Sequence, residues 1–134
     1  MNKIFKRISV LSATVLMSLS MNMSAFAKAW SDDITISNCI TSSKMEDGTY
    51  KMLKSIKYGE TRVADIYGKL DDGLINDYVY GRTSNSIYSH YSSVTTSVTS
   101  KTGPDRSAGV SSTTAACKLG SNKTATFTGV VFIS

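Results

Sequence analysis

The stretch Thr124-Ala125-Thr126-Phe127-Thr128-Gly129-Val130-Val131-Phe132-Ile133 decides the fold class. Ala125, Phe127, Val131 and Ile133 fall on one face and Thr124, Thr126 and Thr128 on the other, the period of two expected of a half-buried strand.

Upstream, the same pattern recurs between turn signals. Ile34, Ile36 and Ile40 alternate with polar residues and lead to Glu46-Asp47-Gly48, a hairpin signal. In residues 49–58, Tyr50, Met52, Ile56 and Tyr58 share one face of a strand, whereas Met52, Leu53 and Ile56 fit a short helix; both readings stay open. Gly59-Glu60 turns the chain into Val63 to Leu70. Asp71-Asp72-Gly73 turns it again into Leu74 to Arg82, with Asp-Gly supplying the positive φ of tight hairpins.

Residues 83–128 hold 21 Ser or Thr in 46 positions, a composition that a linker would also have. Ile87, Tyr91, Val94 and Val98 are spread through the run, however, and β-branched Thr and Val favour strands. Strands are expected at 85–100, 107–118 and 124–133, separated by Thr102-Gly103-Pro104-Asp105 and Leu119-Gly120-Ser121-Asn122. The total of about seven short strands predicts an all-β fold, a small antiparallel β-sandwich.

The 134 residues do not all belong to that domain. Lys3, Lys6 and Arg7 precede an apolar run from Ile8 to about Met23, and Ala25-Phe26-Ala27 supplies the small-x-small pattern of a signal peptidase site. A membrane anchor is the competing reading, but Ser9, Ser12, Ser18, Ser20 and Asn22 interrupt the run. Residues 1–27 are thus expected to be a signal peptide and 28–134 a secreted, extracellular β-sandwich domain. Without the three signal cations, twelve basic residues face ten acidic ones, so the basic isoelectric point says little about partners. The distribution is more informative, since residues 80–134 carry Arg82, Lys101, Arg106, Lys118 and Lys123 against Asp105 alone. No nucleic-acid partner is expected.

Cys39 and Cys117 are the two cysteines, and in an exported chain they are expected to pair as one disulfide bond. Closing that loop would restrict the unfolded chain by about 4.5 kcal/mol in the chain-entropy picture. His90 is the single histidine, which leaves no multi-histidine metal site, and a thiol–histidine nucleophile would lose its thiol to the disulfide. Asp71 and Asp72 fit a turn better than an acid and base pair, and the glycines are spaced like hairpin ends. Neither enzyme chemistry nor a cofactor is expected. Asn122-Lys123-Thr124 matches a glycosylation acceptor but also makes sense as a turn, and the Thr124, Thr126, Thr128 ladder could order water as on ice-binding strands.

Five of the seven tyrosines, Tyr67, Tyr78, Tyr80, Tyr88 and Tyr91, lie in one 25-residue stretch with Arg82 and His90. A tyrosine offers an apolar ring and a polar tip, suited to sugars, peptides or lipid headgroups. Any one of them is equally explained as lining the core, so the cluster from Tyr78 to Tyr91 is the candidate surface.

At Tyr80-Gly81-Arg82-Thr83-Ser84-Asn85-Ser86-Ile87-Tyr88-Ser89-His90-Tyr91, at Arg106-Ser107-Ala108-Gly109-Val110, and at Asn122-Lys123-Thr124-Ala125-Thr126-Phe127, the chain resembles the lactococcin 972 family of secreted bacteriocins. The segments span roughly residues 78–130. This chain departs from the family in its long segment ahead of them, in its lone histidine and in its cysteine pair. The resemblance implies a β-sandwich acting outside the producing cell, with cell-wall synthesis and its lipid-linked precursor as target. A dedicated membrane immunity protein and an exporter would accompany it. The combined expectation is a bacteriocin-like antibacterial protein that binds the bacterial cell envelope without catalysis, with Tyr88, His90, Tyr91, Arg82 and Arg106 as ligand-binding residues. The alternative is an exported adhesion or ligand-binding module without toxic activity.

Overall fold

A computed structural model of the chain describes residues 27–134, so the expected signal segment lies, Ala27 apart, outside the described residues. Nine strands form: β1 (Lys28–Ile36), β2 (Lys51–Tyr58), β3 (Thr61–Asp72), β4 (Asp77–Ser84), β5 (Ser89–Thr96), β6 (Ser100–Thr102), β7 (Ser112–Thr113), β8 (Cys117–Lys118) and β9 (Ala125–Ile133). One sheet has the order β1-β9-β5-β6; the other runs β2-β3-β4-β7, with β8 also on β4, and every ladder is antiparallel. The described residues contain no helix, in keeping with the all-β sandwich expected from the alternation.

The pattern of β9 does what its sequence requires. Ala125, Phe127, Gly129 and Val131 face the interior and are buried, while the residues between them face out. Phe127, Ile56, Ile66, Val79, Val94 and Val131 are completely buried between the sheets. Two glycines let the layers approach. A Cβ on Gly129 would stand 2.8 Å from Ile56 Cδ1 and 2.9 Å from Thr83 Oγ1, and one on Gly68 would stand 2.8 Å from Leu53 Cδ1 and 3.0 Å from Phe127 Cε2.

Residues 51–58 are a strand, and a bulge explains why they also scanned as a helix. Met52 pairs with Tyr67 and Lys54 with Ile66, leaving Leu53 as the extra residue. The slip places Leu53 against Gly68 and keeps Ile56 in the core, so two apolar residues three apart share a face. Lys54 then reaches across the seam to β1, where its ammonium meets Asp32 at 2.9 Å and the Asp33 carbonyl at 3.1 Å. Trp30 closes the same seam: its indole N–H donates to the Lys57 carbonyl at 2.8 Å, and its ring meets Tyr58 edge-on at 5.0 Å.

Two expectations need correction. The strand expected at 107–118 is mostly an exposed loop that touches β4 at two short bridges, β7 and β8, because Ser107 to Ser111 present no buried side chain to either sheet. The disulfide expected between Cys39 and Cys117 is absent: both are free, buried thiols. Each has its own polar partners. Cys39 Sγ donates to the Ile36 carbonyl at 3.6 Å, while Cys117 Sγ lies 3.6 Å from the Thr99 carbonyl and 3.8 Å from that of Val94. Burial pushes the Cys39 thiol up to about 11 and raises that of Cys117, so both favour the protonated form.

Candidate binding face: tyrosines and cations on the second sheet

Alternation along β3 and β4 buries Ile66, Leu70, Val79 and Thr83 and turns Tyr67, Lys69, Tyr78, Tyr80 and Arg82 to the outer face. The register then sets them side by side: Tyr67 opposite Arg82, Lys69 opposite Tyr80, and Asp71 opposite Tyr78. β8 adds Lys118 beside Tyr78, and β7 adds Thr113 beside Arg82. Tyr50, at the entrance to β2, completes the group.

The cations are held against rings. Lys69 Nζ stands 4.4 Å from the Tyr80 ring centre and 4.9 Å from that of Tyr50, and the Arg82 guanidinium carbon lies 3.8 Å from the Tyr50 centre. Arg82 Nε–H also donates to Thr113 Oγ1 at 3.3 Å. Each cation–π contact at such a part-exposed site contributes about 0.5–1 kcal/mol, enough to orient a long side chain. Partial burial raises the Tyr50 hydroxyl above its usual range, an effect that the neighbouring Arg82 charge opposes. The three ion pairs among the described residues, Lys54–Asp32, Arg62–Asp65 and Lys123–Asp77, involve neither Lys69, Arg82 nor Lys118. The face therefore presents positive charge that no carboxylate neutralises at contact distance, ringed by phenol groups.

The residues singled out in sequence are distributed over three places. Arg82 belongs to this face. His90 is completely buried between the sheets, with Nδ1 2.8 Å from the Tyr88 carbonyl and Nε2 2.7 Å from the Val110 carbonyl. Tyr88 is half-buried and packs against the core, and Arg106 is exposed with its backbone paired to that of His90. Tyr91 lies on the outer face of the first sheet, 6.0 Å from the Phe132 ring, where burial and the Asp105 charge raise its hydroxyl. Sequence reasoning missed Tyr50, Lys69 and Lys118. The spacing Tyr67-x-Lys69 and Tyr78-x-Tyr80-x-Arg82 already puts each set on one strand face; what joins them is register, which the sequence does not print.

The outer face of the first sheet differs in chemistry. Thr35, Thr126, Thr95 and Ser100 form one row across four strands, and Asp33, Thr128, Ser93 and Thr102 form the next. Hydroxyls bond along the first row, Thr35 to Thr126 at 2.8 Å and Thr95 to Ser100 at 2.9 Å.

The chain matches no family model, no curated protein and no solved structure, so the resemblance to the lactococcin 972 family stands on the residues quoted for it.

Proposed function

We propose that this protein is an exported, bacteriocin-like antibacterial protein that acts by binding, without catalysis, to an anionic, glycan-bearing component of the target cell envelope. A lipid-linked cell-wall precursor fits that description. The observation that carries the reading is the pair Lys69 and Arg82, held over the Tyr50 ring with no carboxylate partner among the described residues. Two fixed cations suit phosphate groups, and the phenol groups of Tyr67, Tyr78 and Tyr80 suit the hydroxyl-rich surface of a sugar. A rigid sheet supplies both without an ordering cost in the backbone.

This reading relocates the contact surface. Arg82 stays in it, Tyr50, Lys69, Tyr80 and Lys118 join it, and His90, Tyr88 and Tyr91 are assigned to packing. The adhesion reading draws support from a separate observation, the two polar rows on the opposite sheet, seven Ser or Thr with Asp33 at one end, which suit a repetitive polar polymer.

Growth inhibition of related bacteria by the purified protein, together with sedimentation on their isolated cell walls, tests the proposal. The parent should inhibit and bind, and Lys69→Gln with Arg82→Gln should lower wall binding by roughly tenfold or more while circular dichroism is unchanged. Wall binding that survives the double substitution would remove the second-sheet face from consideration. Binding without inhibition of any strain would favour the adhesion module.

A further inference from the structure

His90 is buried, yet both of its ring nitrogens face carbonyl oxygens at hydrogen-bond distance, Tyr88 at 2.8 Å and Val110 at 2.7 Å. A carbonyl only accepts, and a neutral imidazole carries one N–H, so both bonds exist together only in the doubly protonated ring. The two acceptors lie on different segments. Tyr88 ends the β4–β5 connection, whereas Val110 lies in the exposed loop from Pro104 to Ser111.

We propose that His90 is an acid-closed clasp: its imidazolium form ties the 104–111 loop to the sandwich, and loss of one ring proton releases one of the two bonds and loosens the loop.

The loop has few other fastenings. His90 and Arg106 exchange backbone hydrogen bonds at 3.0 and 2.8 Å, and Gly109 N–H donates to the Asn85 carbonyl at 2.8 Å. Ser112 Oγ donates to the Pro104 carbonyl, and the Ser92 N–H donates to that same hydroxyl at 3.2 Å. The carbonyl held by the ring is two residues ahead of β7, whose Thr113 accepts from Arg82. A slack loop therefore reaches the candidate binding face through one short bridge.

One carboxylate lies within electrostatic reach of the ring. Asp105, on the loop itself, has its carboxyl raised by burial and drawn back down by the His90 charge, so the two groups are electrostatically linked. Arg106 shares the backbone bridge but is exposed. Tyr91, next on β5, faces the opposite way across the sheet, and its phenol feels Asp105. β9 sets Val131 opposite His90 and has no titratable residue; β7 has none either. On β4, Tyr78, Tyr80 and Arg82 belong to the outer face, and Asp77, at the start of the strand, is paired with Lys123.

Nitrogen-15 spectra of histidine-labelled parent protein, without any ligand, test this independently of the binding reading. Near about pH 5 both ring nitrogens should register as protonated, and on raising the pH to about 8 one should lose its proton. Over the same range the amide hydrogens of Val110 to Ser112, corrected for intrinsic exchange, should exchange roughly tenfold faster or more, the loss expected for one bond to a charged donor. Asp105→Asn should move the transition to lower pH. A ring with one proton throughout, a ring that keeps both to about pH 8, or loop amides indifferent to the change would each overturn the clasp. An Asp105→Asn protein with an unmoved transition would overturn the part assigned to Asp105. None of these readings depends on a His90 variant that might fail to fold.

Discussion

The Arg82 guanidinium carbon sits 3.8 Å from the centre of the Tyr50 ring, so a residue at the entrance to β2 fixes a cation on β4, with the whole of β3 between them in the sheet. Lys69, on that intervening strand, stands over the same ring. Tyr50 is thus the piece that converts two separately placed cations into one charged patch.

Replacing Tyr50 with Leu should leave the sandwich folded, because the residue is outside the core, but should free Arg82 from its ring contact and leave Lys69 held by Tyr80 alone. Stability should fall by about 1 kcal/mol, the sum expected of two weak contacts. Affinity for a soluble polyanion such as heparin, used purely as an electrostatic probe, should drop roughly threefold to tenfold, with a shallower dependence on salt. Urea denaturation and heparin-column elution measure the two effects separately.

Tyr91→Ser offers the opposite outcome. The residue packs near Phe132 on the first sheet, so the substitution should destabilise the fold by about 1–2 kcal/mol and leave heparin elution unchanged. A Tyr91 variant that loses polyanion binding while keeping its denaturation midpoint would return Tyr91 to the contact surface.

Gly129→Ala tests the closeness of the sheets. The new methyl would press on Ile56 Cδ1, Thr83 Oγ1 and Ile66 Cγ1, all within 3.1 Å, and at least the Thr83 hydroxyl is set on a stiff β-branched side chain. A loss of about 1–3 kcal/mol in chemical denaturation is expected. Gly59→Ala, at a turn with φ near 66° and open space around it, should cost about 1 kcal/mol through backbone strain alone.

The two thiols should resist modification in the native state. Burial keeps Cys39 and Cys117 protonated at neutral pH, and the thiol is a poor nucleophile compared with its thiolate. Iodoacetamide at pH about 8 should label neither cysteine in folded protein and both in urea, giving a mass gain of two adducts. No gain in urea without reductant would mean that the cysteines are bonded.

The pieces of this fold that local pattern controls were legible. Phe127 and Val131 alternate with outward residues as β9 demands, and a turn does follow Asp72, although Asp71 and Asp72 still pair in the β3–β4 ladder and Gly73 does not take the positive φ expected of it. The bulge at Leu53 was not, because one inserted residue shifts the phase and mimics helical spacing. His90 read as a surface residue among tyrosines. Its burial depends on Val110, twenty residues on, whose carbonyl satisfies the second nitrogen. Lys69 and Tyr50 are unremarkable in sequence, since their significance lies in cross-strand neighbours that only the register defines. The loop at 107–118 was misread for a related reason: Ser and Thr can satisfy strand propensity without supplying the buried side chains that hold a strand in place.

The position of β9 also bears on when the molecule can fold. It is the central link of its sheet, with β1 on one side and β5 on the other, and β1 has no other strand partner among the described residues. Lys28 pairs with Ile133, so the first of the described strands waits for the last of them. A chain emerging in order from a ribosome or a translocation channel can close the β3–β4 hairpin on the way, but its first sheet must wait for Ala125–Ile133. Such long-range closure is slow compared with local hairpin formation. For a chain exported as proposed above, the same pairing would leave it extensible during passage through a pore and commit it to a compact form after Ala125–Ile133 had crossed.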